Sequence, residues 1–165
     1  YYIFGFIFLI CSFYSIYYLR NNYGEDYIYF LVITLICVST DIGGYIFGKI
    51  FKGPKLTKIS PNKTYSGMIG GYLLSLLSLK IFFSSDYLFS KSIQLTFDII
   101  IFILIVSTVS QLGDIIISYF KRLSKIKDTG NIIPGHGGLL DRIDGMIFAF
   151  LFSFIVLKLN IFQYF

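Results

Sequence analysis

Charged residues are scarce in this chain: they make up 14% of its 165 residues, whereas hydrophobic residues make up 56%. Soluble domains usually have about 25% charged residues, so the composition excludes an ordinary soluble protein. Histidine occurs once and cysteine twice. Cys11 and Cys37 both lie in apolar runs, which predicts buried free thiols. His136 is a poor zinc ligand, because no second histidine or neighbouring cysteine accompanies it.

The chain also lacks the features of an export signal. It begins at Tyr1 without an initiator methionine, and no basic stretch precedes the first apolar run. We therefore expect the C-terminal part of a longer protein. No internal repeat divides the sequence, and we predict a single transmembrane domain over residues 1–165.

Long apolar runs are what the chain does have. They cover approximately residues 2–19, 27–48, 67–83, 96–117 and 146–163. Each approaches the roughly 20 apolar residues that a membrane-spanning helix needs. None alternates with a period of two, which excludes the strands of a membrane barrel. The sequence therefore predicts an all-α, polytopic transmembrane bundle of about five spanning helices.

Basic residues concentrate in two loops, which hold ten of the fourteen lysines and arginines. The first loop has Lys49, Lys52, Lys55, Lys58 and Lys63, and the second has Lys121, Arg122, Lys125, Lys127 and Arg142. Short loops rich in Lys and Arg remain in the cytoplasm, so we predict that both loops lie on that side. Topology alone can select these cations, but it does not account for the aspartates between them.

Two aspartates interrupt apolar runs. Asp41 lies near the cytoplasmic end of the second run, and on a helix Asp114 shares one face with Ser110, Ser118 and Lys121. An ionisable group in an apolar helix is costly unless it is paired or faces a hydrated cavity. Asp114 is therefore a functional candidate, and pairing with Lys121 or another interior cation is the structural alternative.

The first basic loop combines hydrogen-bond donors with the start of a helix. Four side chains can donate to phosphate oxygens: Ser60, Asn62, Thr64 and Ser66. Because the first N–H groups of a helix attract anions, we predict an anion-binding loop, although the G-x-x-x-x-G-K-[ST] pattern of a P-loop is missing. GxxxG spacing on either side of the loop predicts close helix packing; these glycines are Gly44, Gly48, Gly67 and Gly71.

The second loop leads into a pair of aspartates. Asp141 and Asp144 are three residues apart, so on a helix both carboxylates project to one side. Two adjacent carboxylates repel unless a cation bridges them, and Mg²⁺ is typically held by a few carboxylates together with substrate phosphates. Arg142 and the basic residues upstream can balance a polyphosphate. Helix capping would explain Asp141 alone but not the pair.

These residues together predict a cytoplasmic site for metal and phosphate beside an apolar bundle that suits a lipid co-substrate. The chemistry that fits is phosphoryl or nucleotidyl transfer, in which positioning and electrostatics do most of the work. His136 lies between glycines and is expected to shape the loop or to contact substrate rather than to act as a general base.

Residues 118–144 resemble the signature of CDP-diacylglycerol synthases, also called phosphatidate cytidylyltransferases. The matching residues are Ser118, Lys121, Arg122, Lys127, Asp128, Pro134, Gly135, His136, Gly137, Gly138, Asp141, Arg142 and Asp144. Upstream, residues 41–48, 60–64 and 111–114 resemble further motifs of that family, and the resemblance covers about residues 28–160. The chain departs from the family pattern at Tyr65, Ser66 and Ile117, where the family often has Trp, Glu and Glu.

The resemblance implies that CTP and phosphatidate react to give CDP-diacylglycerol and pyrophosphate, with Mg²⁺ and a candidate second cation. It implies a metal site formed by Asp114, Asp141 and Asp144, which with Lys121, Arg122 and Arg142 make up the catalytic set. The implied substrate-binding residues are Asp41, Ser60, Lys63, Thr64, Ser118, Lys127, Asp128 and His136. It further implies a bacterial inner membrane, a bilayer partner, a candidate homodimer, no nucleic-acid partner and additional helices ahead of residue 1.

Four other classes compete with this interpretation. A CTP-dependent polyprenol or phytol kinase would release CDP instead of pyrophosphate. An ion-coupled transporter could use Asp41 and Asp114 as coupling sites, and a purely structural membrane protein would leave the clustered charges unexplained. A CDP-alcohol phosphatidyltransferase ranks low, because its Asp-Gly-x-x-Ala-Arg motif is absent from the sequence.

Overall fold

Five α-helices make up the computed structural model, which describes residues 2–21, 27–57, 60, 62–84, 96–126, 129–130, 138 and 140–161. They are α1 (Tyr2–Asn21), α2 (Ile28–Phe51), α3 (Tyr65–Ser84), α4 (Phe97–Leu123) and α5 (Leu140–Lys158). Within these ranges the only β-structure is an isolated bridge between Lys55 and Thr64. The prediction of an all-α bundle is confirmed.

Among the described residues, four helices are long and apolar enough to cross a membrane: α1, α2, α3 and α4. The fifth helix begins at Leu140 rather than at residue 146, and its first turns include Asp141, Arg142 and Asp144. Because of these charges, α5 is not among the helices that are apolar enough to cross a membrane. Its later residues nevertheless pack in the core, for example Ala149 and Phe150. The chain is a polytopic helical membrane protein.

Glycines bring α2 and α3 into backbone contact. A Cβ at Gly67 would lie 2.6 Å from the carbonyl oxygen of Gly44, and a Cβ at Gly43 would overlap the carbonyl of Gly70. Only glycine permits helices to approach this closely in lipid. The predicted packing role of the glycines is confirmed, and this contact fixes the two ends of the loop over residues 52–64.

Hydroxyl groups hold α4 against the α2–α3 pair. Thr40 and Ser107 share a buried hydrogen bond of 2.8 Å, and the hydroxyls of Tyr72 and Thr108 are 2.9 Å apart. Such interhelical hydrogen bonds contribute about 0.6–2 kcal/mol each in a membrane. They hold α4 in register with α2 and α3.

Both cysteines are free thiols, as predicted. Cys37 is buried in the core, but Cys11 is exposed on the outer face of α1, so the prediction of burial is wrong for Cys11. An apolar helix with lipid on one side can carry a small thiol there at little cost.

Candidate functional site

One cavity of about 380 Å³ lies where the first basic loop meets α2, α4 and α5. Its size is within the range of about 300–1,000 Å³ that is common for small-molecule sites. Predicted site residues dominate its lining: Asp41, Ser60, Lys63, Thr64, Asp114, Asp141, Arg142 and Asp144. The fold therefore brings together residues as far apart in the sequence as Asp41 and Asp144.

The first basic loop folds back on itself and directs Lys63 toward α4. The Leu56 N–H donates to the Lys63 carbonyl at 2.8 Å, and the Lys63 N–H donates to the Ser60 carbonyl at 3.1 Å. With its backbone held, the Lys63 Nζ lies 2.9 Å from Asp114 Oδ2 and 3.3 Å from the Gln111 carbonyl. Asp114 thus pairs with a cation from another element, and the predicted alternative partner Lys121 binds elsewhere.

Two N–H groups at the start of α3 already donate hydrogen bonds to other groups of the chain. The Tyr65 N–H donates to the Pro54 carbonyl at 3.0 Å, and the Gly67 N–H donates to Thr64 Oγ1 at 3.1 Å. These groups are two of the N–H donors that the sequence suggested for an anion, so the prediction of an anion-binding helix start is wrong for them. The side chain of Lys63, by contrast, lines the cavity.

Lys121 joins the end of α4 to the first turns of α5. Its Nζ lies 3.1 Å from Asp141 Oδ1 and 3.4 Å from Asp144 Oδ2. One ammonium group can bridge both carboxylates only if they project to the same side of α5, as their spacing predicted. The ammonium therefore occupies a position where two carboxylates converge on a cation.

Asp141 also anchors the segment that leads into α5. Its Oδ2 accepts hydrogen bonds from the N–H groups of Thr129 and Gly138, each at 2.9 Å. Burial disfavours charge on Asp141, but these two N–H groups and the Lys121 ammonium outweigh it and hold the pKa of Asp141 at about 2. The carboxylate is thus ionised at neutral pH and shapes the loop as well as the cavity.

Asp114 on α4 and Asp144 on α5 both line the cavity where these two helices meet. Gly145 makes this approach possible, since a Cβ there would lie 2.5 Å from Asp114 Oδ1. Asp144 Oδ1 accepts a hydrogen bond from the Gly145 N–H at 3.0 Å, which fixes the orientation of that carboxylate.

Within the described part of the chain, no three acidic, histidine or cysteine side chains are arranged around a common metal position. The donor chemistry nevertheless suits Mg²⁺, because paired carboxylate oxygens are the ligands that it takes from proteins. The Lys121 ammonium between Asp141 and Asp144 is a stand-in cation at such oxygens. The carboxylates of Asp114, Asp141 and Asp144 therefore fit a divalent cation once Lys63 and Lys121 no longer contact them.

The remaining predicted residues lie around or beyond the cavity. Ser118 is half-buried on α4 and Arg122 is exposed, and neither belongs to the cavity lining. Lys127, Asp128 and His136 lie outside the described residues.

Sequence reasoning did not single out several residues that the structure places at the site. Tyr45 and Met68 line the cavity, and Gly145 sets the distance between α4 and α5. Tyr45 lies one helical turn after Asp41, so the helix period could have placed it on the same face. Met68 and Gly145 have no comparable sequence pattern.

Comparison of the sequence with known proteins identifies a family and several relatives. Residues 1–160 match the profile of the Cytidylyltransferase family. Curated proteins named phosphatidate cytidylyltransferase are similar: one from Rickettsia conorii is 42% identical over 80% of this chain, and one from Bacillus subtilis is 39% identical over 84%. A third, from Staphylococcus saprophyticus, is 41% identical over 80% of this chain.

The matches cover only part of these relatives. The aligned region makes up 60% of the Rickettsia conorii protein and 50% of each of the other two. The chain thus spans about half to three-fifths of the length of the curated relatives that it matches.

Proposed function

The chain belongs to the cytidylyltransferase family, and we propose that it catalyses the reaction of CTP with phosphatidate to give CDP-diacylglycerol and pyrophosphate. The observation that carries the proposal is the cavity whose lining includes Asp114 and Asp144 together with Lys63 and Arg142, at one end of an apolar bundle. Carboxylates for a metal, cations for phosphates and access from lipid are the three requirements of this reaction.

In the proposed reaction, a phosphate oxygen of phosphatidate forms a bond to the α-phosphorus of CTP. The bond between that phosphorus and the oxygen bridging to the β-phosphate breaks, and pyrophosphate leaves. Negative charge accumulates on the departing group, so cations near it lower the barrier. Lys63, Lys121 and Arg142 are the side chains that we assign to this task, with Arg122 and Lys127 as further phosphate ligands.

We assign the metal site to Asp114, Asp141 and Asp144. Bound Mg²⁺ would neutralise phosphate charge and align the reacting groups. In the protein, Gly145 and its N–H orient Asp144, while Thr129 and Gly138 hold one oxygen of Asp141. These contacts leave Asp114 Oδ2, Asp141 Oδ1 and Asp144 Oδ2 as the oxygens directed at cations.

The remaining assignments concern the nucleotide and the membrane. We propose that Asp41 orients cations or nucleotide from α2, that Ser60, Thr64 and Ser118 contribute hydrogen bonds, and that Asp128 and His136 contact substrate. The basic loops support a cytoplasmic site, and the bacterial relatives support an inner membrane. A second copy of the chain remains a predicted partner.

The proposal is tested by supplying the purified protein in lipid–detergent micelles with cytidine-labelled CTP and phosphatidate, with and without Mg²⁺. We expect labelled lipid and pyrophosphate to form at equal rates and only with Mg²⁺. Asp144→Asn should lower kcat at least about 100-fold, because it removes charge beside the reacting phosphates. Asp98→Asn is the matched control, since Asp98 lies in the first turn of α4, at the opposite end of that helix from Asp114.

Two results would contradict the proposal. Release of CDP with phosphorylation of a lipid alcohol would establish a kinase. Full activity of Asp144→Asn at limiting Mg²⁺ would remove Asp144 from the metal site.

A further inference from the structure

Lysine ammonium groups hold every aspartate that we assign to the metal. Lys63 binds Asp114 at 2.9 Å, and Lys121 binds Asp141 at 3.1 Å and Asp144 at 3.4 Å. The two lysine side chains are 27% and 14% exposed, so both pairs are partly shielded from water. Ion pairs in such surroundings are screened less than surface pairs.

The lysines bind the oxygens that a metal ion would need. Asp141 Oδ2 already accepts from two backbone N–H groups, and Asp144 Oδ1 accepts from the Gly145 N–H. The other oxygens of these two aspartates contact Lys121, and Asp114 Oδ2 contacts Lys63. A divalent cation and the lysine ammonium groups therefore compete for the same carboxylate oxygens.

Charge balance makes this competition depend on the nucleotide. A divalent cation that enters alone meets two ammonium groups of like charge, which lowers its affinity. Nucleotide phosphates in the cavity offer an alternative partner to the Lys63 ammonium group, which lines it, and to the Lys121 ammonium group, which contacts the cavity-lining carboxylates of Asp141 and Asp144. Binding of the nucleotide should thus favour binding of the divalent cation, and binding of the cation should favour binding of the nucleotide.

We propose that Lys63 and Lys121 are exchangeable counterions: a divalent cation takes over their carboxylate oxygens while the released ammonium groups bind the nucleotide phosphates. The inference rests on the proposed function for the identity of the nucleotide. It makes cation and nucleotide binding positively cooperative, and by thermodynamic linkage the effect is equal in both directions. The lysines then prevent stable loading of the metal before CTP arrives.

Binding of Mn²⁺ to the protein tests this exchange without turnover, because phosphatidate is omitted. Free Mn²⁺ is measured by electron paramagnetic resonance in detergent micelles, with and without CTP. For the unchanged protein we expect CTP to tighten Mn²⁺ binding, beyond the amount bound by CTP alone. Lys63→Met keeps the apolar stem and removes the charge, so we expect about fivefold tighter Mn²⁺ binding without CTP and a smaller enhancement by CTP.

Lys55→Met is the matched control, since Lys55 is an exposed lysine of the same loop that does not line the cavity. It removes the same charge and should leave both Mn²⁺ affinities unchanged. Lys121→Met is the second test variant, used if Lys63→Met does not elute as a folded protein, and the same result is expected. Unchanged or weaker Mn²⁺ binding by the folded lysine variants would overturn the exchange.

The outcome separates this inference from the proposed function. Tighter Mn²⁺ binding by Lys63→Met, together with no cytidine-labelled lipid from the unchanged protein, would support the exchange and reject the cytidylyltransferase activity. Normal lipid labelling by the unchanged protein, together with Mn²⁺ affinities that are the same in the lysine variants as in the unchanged protein, would support the activity and reject the exchange.

Discussion

Gly145 shows how one residue without a functional side chain can control the site. A Cβ at this position would lie 2.7 Å from the Ser110 carbonyl and 2.5 Å from Asp114 Oδ1. Since the carbonyl belongs to the α4 backbone, relief would require the helices to separate. The distance between Asp114 and Asp144 therefore depends on the absence of one methyl group.

Gly145→Ala should accordingly destabilise the protein by about 1–3 kcal/mol, as overpacking usually does. Thermal unfolding in detergent micelles measures this loss, and Mn²⁺ binding should weaken in parallel because the carboxylates move apart. Gly5→Ala is the control: no atom lies within 4 Å of the Cβ that it adds. There the better helix propensity of alanine should leave stability equal or slightly higher. A Gly145→Ala protein as stable as the parent would show that the α4–α5 contact is looser than described.

At the scale of elements, Ser66 joins the first basic loop to α3. Its Oγ accepts a hydrogen bond from the Gly53 N–H at 3.2 Å and lies 3.1 Å from Thr64 Oγ1. The sequence resemblance marked Ser66 as a departure from the family pattern. In this chain the Ser66 hydroxyl connects Gly53, at the start of the first basic loop, to Thr64, which follows Lys63 at the end of the loop.

Ser66→Ala should loosen this loop by about 1 kcal/mol, the usual contribution of a hydrogen bond. Amide hydrogen exchange measures the effect: exchange at Gly53 should accelerate several-fold, while amides in the middle of α3 keep their protection. Ser66→Thr retains the hydroxyl and should exchange like the parent. Equal protection of Gly53 in the alanine and threonine variants would argue against a role for the hydroxyl.

Elements were easier to predict than the contacts between them. Apolar runs of about 20 residues located all five helices, because in lipid an apolar segment must satisfy its own backbone N–H and C=O groups and a helix does so. The last apolar run begins at residue 146, later than α5 itself, because the first turns of the helix include the charged residues Asp141, Arg142 and Asp144. The shared face of these two aspartates followed from spacing alone. The partner of Asp114 did not, since Lys63 is 51 positions away and reaches it only after α2 and α3 pack.

The whole molecule separates its charges from its apolar surface. Large hydrophobic side chains are exposed along the helices, for example Phe4 at 78% and Phe97 at 76%, as expected of surfaces that face lipid. The cavity and both basic loops lie at one end, where α2 and α4 finish and α3 and α5 begin. Orientation in the membrane therefore decides which compartment the cavity faces.

Cysteine labelling tests this orientation on the intact protein. In a Cys11→Ala, Cys37→Ala background, Lys55→Cys reports on the cavity end and Phe97→Cys on the opposite end of the bundle. We expect a membrane-impermeant maleimide to label Lys55→Cys in inside-out vesicles only, because basic loops stay in the cytoplasm. Phe97→Cys should show the reverse preference, which controls for vesicle leakage. Labelling of Lys55→Cys in right-side-out vesicles alone would place the cavity outside the cell, away from cytoplasmic CTP, and would contradict the proposed reaction.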